Sequence, residues 1–361
     1  MSKKLNLLMV SMLALNIGAA AAAPENYPAD YQKIIDAAKK EGKVVIYSTT
    51  DTAAAAPIIK GFETLYPGIS VEYNDMNSTE LYNRYISEQA SSSGSGDVVW
   101  SSAMDTGVKL AIDYALPYKS PEAGKLPSWA VWKDTAYGTT YEPLVFIYNK
   151  RLLKEDEVPK SHSDLAALVK SHPDRFKNKV TTYDIEKSAL GFMLSVEDTK
   201  NDAKYFEHLK DISSAGMVVQ SSTGTMLERV SSGENLIGYN ILEPYAKTRA
   251  AKDSSLGIAY PKDYTLVLSR VSFISKQAEH ANAAKLWLDY VLSQKGQDIL
   301  ANQANITSIR DDITGDNDVA GTTKLLGDSL KPIPVNESLL EYLEQNKRLE
   351  YLKKWRATTG K

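Results

Sequence analysis

The chain has 361 residues, 43% hydrophobic and 24% charged, and a net charge of −3 that becomes −5 without Lys3 and Lys4. That length buries sizeable cores and favours two domains over one, and lysines interspersed with acids exclude the clustered positive charge that nucleic acid requires. Cysteine is absent, which excludes disulfides and thiol chemistry and gives no expectation of a lipid anchor.

In chain order, the first segment reads MSKKLNLLMVSMLALNIGAAAAAP: two lysines, an apolar run from Leu5 to Ile17, then small residues to Ala23. This predicts a signal peptide over residues 1–23, cut near Ala21 to Ala23, with an apolar run too short to span a bilayer. The mature protein is therefore expected to be exported and not membrane-embedded.

From Tyr31 onward, short β-branched runs alternate with longer amphipathic segments, the pattern of strands covered by helices. KVVIYS, ISVEYNDM and DVVWS read as strands, each followed by a helix, over about 53–66, 78–92 and 105–114. Pro57 is expected in the first turn of the first of these helices. YGTTYEPLVFIYN (137–149) carries the chain into a second domain. There KVTTYD, MVVQ and NLIGYN are predicted strands, with helices through SALGFMLSV and over about 202–214, 223–232 and 242–252. IAYP and TLVLSRVSFIS return as strands, followed by helices at about 279–294 and 295–303. The expected organisation is α/β in two lobes, each a mainly parallel sheet flanked by helices. Residues 24–144 and 263–361 form the first lobe, 145–262 are inserted as the second, and two strand crossovers make a hinge.

In such sheets ligands bind beyond the carboxyl ends of the strands, where helix starts present unpaired N–H groups. The predicted strand ends carry Ser48, Thr49, Thr50 and Asp51; Asn77, Ser78 and Thr79; and Trp100, Ser101 and Ser102 in the first lobe. The second lobe offers Tyr183 and Asp184 with Ser188; Ser221, Ser222 and Thr223; and Tyr239 and Asn240 with Glu243. Helix capping accounts for any one of these clusters taken alone, and NSTE has the form of a cap with a first-turn acid. Their recurrence at nearly every strand end points to one cleft. Hydroxyls and helix starts there would hold an oxyanion without a buried lysine or arginine. Asp51, Asp184 and Glu243 would accept from the rest of the ligand, and Trp100, Tyr141, Tyr183 and Tyr239 would line it.

Enzyme signatures are missing. The four histidines, His162, His172, His208 and His280, show no metal-like spacing, and neither a G-x-S-x-G elbow nor a phosphate-binding G-x-x-x-x-G-K loop occurs. No metal site and no cofactor are expected; an exported hydrolase using a cleft serine stays open as an alternative.

The segments VVIYSTTD, FETLYPGISVEYNDMNSTELYNR, GDVVWSS, YNKRLL, FKNKVTTYDIEKSAL and AAKLWLDYVLSQKGQDIL together resemble the periplasmic solute-binding proteins of ABC importers, in the branch holding ferric-ion binders and the hexose-phosphate binder. The resemblance runs from about Gly42 to Ile309. It implies a type II periplasmic binding fold, a periplasmic location, and delivery of a small solute to an inner-membrane permease, by a protein expected to be a monomer. Where ferric binders carry a histidine, a glutamate and adjacent tyrosines, this sequence has Asp51, Ser102 and Asn240-Ile241, with Tyr239 just ahead. That loss of anionic oxygen ligands disfavours iron, which stays as an alternative ligand. Ser188 and Ser221 to Thr223 match positions that hold the accompanying oxyanion in ferric relatives. The first expectation is thus a sugar phosphate or phosphonate.

Overall fold

The computed structural model describes residues 23–91 and 94–361, so the predicted signal peptide, except for Ala23, lies outside the described residues. Among the described residues, thirteen strands form two sheets: β1 (Lys43–Ser48), β2 (Ser70–Asp75), β3 (Val98–Ser101), β4 (Val131–Trp132), β5 (Ala136–Gly138), β6 (Glu142–Asn149), β7 (Val180–Tyr183), β8 (Val218–Gln220), β9 (Ile237–Leu242), β10 (Leu256–Ala259), β11 (Thr265–Leu268), β12 (Val271–Ile274) and β13 (Leu330–Pro332). The first sheet runs β2-β1-β3-β12-β5-β4 and the second β13-β11-β6-β9-β7-β8, with β10 also paired to β6. Helices flank both, as the alternating pattern predicts. Parallel pairing is confined to β2-β1-β3, β9-β7-β8 and β11-β13, where helical crossovers return the chain; the remaining pairs are antiparallel.

The elements follow from their apolar spacing. In the helix Thr52–Leu65 the buried residues Ala55, Ile58 and Phe62 fall on one face, the i, i+3, i+7 stripe that packs on a sheet. Pro57 lies inside this helix, past the first turn where it was expected. The helix starts at Thr52 and tolerates the loss of one backbone bond at Pro57.

The chain passes between the sheets three times: from β12 to β13 through the long helical segment 275–329, and by two short crossings, from β5 to β6 through residues 139–141 and from β11 to β12 through residues 269 and 270. The two short crossings lie side by side: Thr139 N–H donates to the Arg270 carbonyl at 2.9 Å, and Arg270 N–H donates to Thr140 Oγ1 at 2.9 Å. Three features depart from the expected first-lobe span of 263–361. β11 pairs with β6, and so belongs to the second sheet, and β13 joins that sheet beside β11. The helix Gln345–Thr359 buries Tyr351 and Trp355 in a core with Phe192, Tyr205 and Leu209; two large aromatics four residues apart need an apolar face, and the second lobe supplies it. Among the described residues, no helix is long and apolar enough to cross a membrane.

Candidate functional site

A cavity of about 260 Å³ opens between the two sheets, at the small end of the range for ligand sites. Its first-lobe wall is Thr49, Asp51, Asp75, Met76, Asn77, Ser78 and Ser102; its second-lobe wall is Tyr183, Ser188, Leu190, Ser221 to Gly224, Leu242 and Tyr245. Six helices begin at these residues. Thr52–Leu65 follows Asp51, Ser78–Ser91 follows Asn77, and Met104–Tyr114 starts two residues after Ser102. Across the cleft, Ala189–Asn201 follows Ser188, Thr223–Ser232 follows Ser222, and Glu243–Ala250 follows Leu242. Each start leaves backbone N–H groups without helical partners and carries the positive end of the helix dipole. Among the described residues, no lysine, arginine or histidine lines the cavity.

Several hydroxyls serve the helices themselves. Ser188 Oγ accepts from Gly191 N–H at 3.1 Å and Ser222 Oγ from Thr225 N–H at 3.2 Å; Asn77 Oδ1 accepts from Glu80 N–H at 2.9 Å. A capping serine hydroxyl still has its own proton to donate to a ligand, whereas the Asn77 amide oxygen only accepts. Elsewhere the side chains bind one another. Thr49 Oγ1 donates to Ser102 Oγ at 3.0 Å and accepts from Ser102 N–H at 2.8 Å, and the Tyr183 hydroxyl bonds Thr223 Oγ1.

The walls also touch. Ser78 Oγ accepts from Leu190 N–H at 3.2 Å, while Thr79 Oγ1 accepts from Ala189 N–H at 3.2 Å and donates to the Lys187 carbonyl at 3.0 Å. First-lobe hydroxyls thus satisfy the start of a second-lobe helix. Asp51 N–H donates to the Tyr245 hydroxyl at 3.2 Å.

Ten sequence-predicted residues line the cavity: Thr49, Asp51, Asn77, Ser78, Ser102, Tyr183, Ser188, Ser221, Ser222 and Thr223. The others are placed elsewhere. Ser48 Oγ donates to the Trp100 carbonyl at 3.0 Å, and Ser101 Oγ accepts from Ala103 N–H at 3.2 Å. Trp100 is buried with its indole N–H on Thr139 Oγ1 at 2.8 Å, and Thr50 Oγ1 accepts from Arg270 at 2.9 Å. Thr79 acts as the interlobe bridge described above, and Tyr141 packs against Trp129. In the second lobe, Tyr239 and Asn240 both donate to the buried Asp198. Glu243 is buried against Tyr260, Lys247 and Thr307, and Asp184 turns to Lys187 and Glu186 N–H. Ser48, Trp100, Ser101, Tyr239 and Asn240 share a physical reason: a polar group within the strand is buried and must find a partner inside the protein. Tyr239, Glu243 and Asp184, so engaged, do not join Asp51 and Tyr183 at the cavity.

Asp75, Met76, Leu190, Gly224, Leu242 and Tyr245 complete the walls and were outside the predicted set. Asp75 ends β2, and the strand-end rule that selected Asp51 applies to it as well. The other omission is Arg270, a lone charge within the apolar run TLVLSRVSFIS. Fully buried at the hinge, it grips Glu142 through Nε at 2.7 Å and Nη2 at 2.9 Å. A single cation in an apolar run is a sequence signal for such a buried pair.

Burial pushes the Asp51 carboxyl above the usual range, with Arg270 pulling it down and Asp75 pushing it up. Burial likewise raises the phenols of Tyr183 and Tyr245, so both face the cavity as neutral hydroxyls.

Residues 57–325 match the profile of a family described as bacterial extracellular solute-binding protein. The substrate-binding protein of an ABC transporter from Agrobacterium tumefaciens is 34% identical, with 88% of this chain and 94% of that chain covered and a TM-score of 0.84. AfuA from Actinobacillus pleuropneumoniae, a periplasmic binding protein with fructose-6-phosphate bound, is 18% identical over 88% of this chain and 99% of that one, with a TM-score of 0.72. Iron-bound HitA from Pseudomonas aeruginosa is also 18% identical, over 88% and 99% of the two chains, with a TM-score of 0.67. Among curated protein sequences, none matches the chain.

Proposed function

Because this chain belongs to the family of bacterial extracellular solute-binding proteins and is the substrate-binding component of an ABC importer, we propose that its cleft captures a small anionic organic solute, a sugar phosphate or a phosphonate. In this reading the protein works in the periplasm as a monomer after its signal peptide is removed, and hands the solute to an inner-membrane permease.

The observation that carries the proposal is the convergence of six helix starts on one cavity whose described walls hold no cationic side chain. Unpaired N–H groups and dipole ends bind phosphate oxygens by hydrogen bonding, each helix start contributing roughly 0.3–1 kcal/mol when exposed. Thr49, Ser78, Ser102, Ser188, Ser222 and Thr223 add hydroxyl donors. The fold AfuA shares holds fructose-6-phosphate in that protein. Ferric ion, carried by HitA, needs several anionic oxygens; here the two cavity tyrosines are neutral and one cavity acid, Asp75, is already bonded to Thr52.

The test is a thermal melt with glucose 6-phosphate, glucosamine 6-phosphate, phosphoethanolamine, ethyl phosphate and ferric citrate. A ligand at a hundred times its dissociation constant adds about 2.7 kcal/mol. Shifts with phosphorylated compounds are expected. A shift with iron alone, accompanied by tyrosinate-to-iron colour, would replace the reading with iron binding, and turnover of a model ester would favour the hydrolase.

A further inference from the structure

Charge is divided unevenly over the two walls of the cleft. Both charged lining residues, Asp51 and Asp75, belong to the first lobe, and none belongs to the second. Asp51 stands at the cap position of the helix Thr52–Leu65, yet its carboxylate makes no cap bond. Asp75 does that work: its Oδ2 accepts the Thr52 N–H at 2.7 Å. Arg270, the nearest strong cation, is committed to Glu142 and Thr50. Among the described residues, the Asp51 carboxylate has neither a hydrogen bond nor an ion pair of its own.

Resting on the anion reading above and narrowing it, we infer that the ligand is zwitterionic. Its anionic group lies on the second-lobe helix start at Ser222 to Gly224, beside the Ser188 hydroxyl, and a protonated amino group lies against Asp51. Enclosing an unpaired carboxylate beside a purely anionic ligand costs desolvation and adds like-charge repulsion. An ammonium removes both costs and forms charge-assisted hydrogen bonds. It needs only one free carboxylate, whereas a metal ion needs several anionic ligands, and the described residues contain no such group.

The chemical class is thus an amino-substituted alkyl or sugar phosphate or phosphonate. Two matched pairs test it by calorimetry: phosphoethanolamine against ethyl phosphate, and glucosamine 6-phosphate against glucose 6-phosphate. In at least one pair the amino member should bind about tenfold tighter or more. Asp51→Asn should collapse that ratio toward one, and Asp51→Glu should restore it, with the melting temperature of the free variants unchanged because Asp51 caps nothing. If the amine-free members bind as well as their partners, or Asp51→Asn leaves the ratio intact, the inference is overturned while the anion reading stands. If none of the four binds, the anion reading fails and takes this inference with it.

Discussion

The two walls of the cleft use one device, a strand running into a helix start, and differ in what the side chain at the junction does. In the second lobe, Ser188 and Ser222 cap their own helices. In the first, Asp51 leaves its helix to Asp75, Thr49 and Ser102 bind each other, and Ser78 and Thr79 reach across to the other lobe. A hydroxyl or acid before a helix is therefore not one signal. On the proposed reading, the second wall holds the oxyanion and the first reads the rest of the ligand. The supports behind them differ too: an Arg270–Glu142 pair at the hinge, and in the second lobe Asp198 held by Tyr239, Asn240 and Tyr264.

That contrast is broken most strongly at its supports. Arg270→Met leaves Glu142 buried without its partner and should cost about 3–5 kcal/mol in chemical denaturation. Asp198→Asn, which keeps a polar group among its neighbours, should cost about 1–3 kcal/mol. Equal losses would mean that the two supports carry similar weight.

The helix starts differ in acidity as well. Asp105 lies buried in the first turn of Met104–Tyr114, whereas Ala189–Asn201 and Thr223–Ser232 have no acid in theirs. Burial pushes the Asp105 carboxyl up to about 7. The folded state therefore holds this proton more tightly than the unfolded chain, and the residue's contribution to stability falls as pH rises from about 4 to about 7. Asp105→Asn should gain relative to the native chain across that window, by on the order of 4 kcal/mol. A flat difference between the two denaturation profiles would refute the assignment.

The cradle itself is tested at Gly224, where an added Cβ meets nothing nearer than Ser222 Oγ at 4.0 Å. Gly224→Leu should leave the free protein's melting temperature unchanged or slightly higher, because leucine favours helix over glycine. It should weaken phosphorylated ligands about a hundredfold, close to 2.7 kcal/mol. Normal binding by this variant would move the anion away from the second wall. The smallest effect is expected at the bridge: Thr79→Val removes its bonds to Ala189 and Lys187 and should weaken binding about fivefold, or roughly 1 kcal/mol. An unchanged affinity would show that these contacts do not hold the lobes together around ligand.

Much of this was readable in the sequence because each βα unit announces itself twice, by a β-branched run and by polar residues before the next helix. KVVIYS and the Thr223–Ser232 helix fall where their patterns place them, and the strand expected at NLIGYN lies two residues further on, at Ile237–Leu242. Strand ends also located the cleft, but not which side chain faces it. Ser48 and Ser101 precede Thr49 and Ser102 by one residue and point into the protein, since alternate side chains of a strand face opposite ways. Tyr239 and Glu243 were misplaced for a second reason: their partners Asp198 and Tyr260 lie 41 and 17 residues away, and no local pattern reports such a contact. The docking of Gln345–Thr359 on the second lobe is likewise a tertiary choice.

The most direct test of the central claim is native mass spectrometry of the protein taken from the periplasm without added ligand. The account predicts a retained mass matching a phosphorus-containing organic anion, released by Gly224→Leu. A retained mass of one iron atom, with no organic solute, would contradict it.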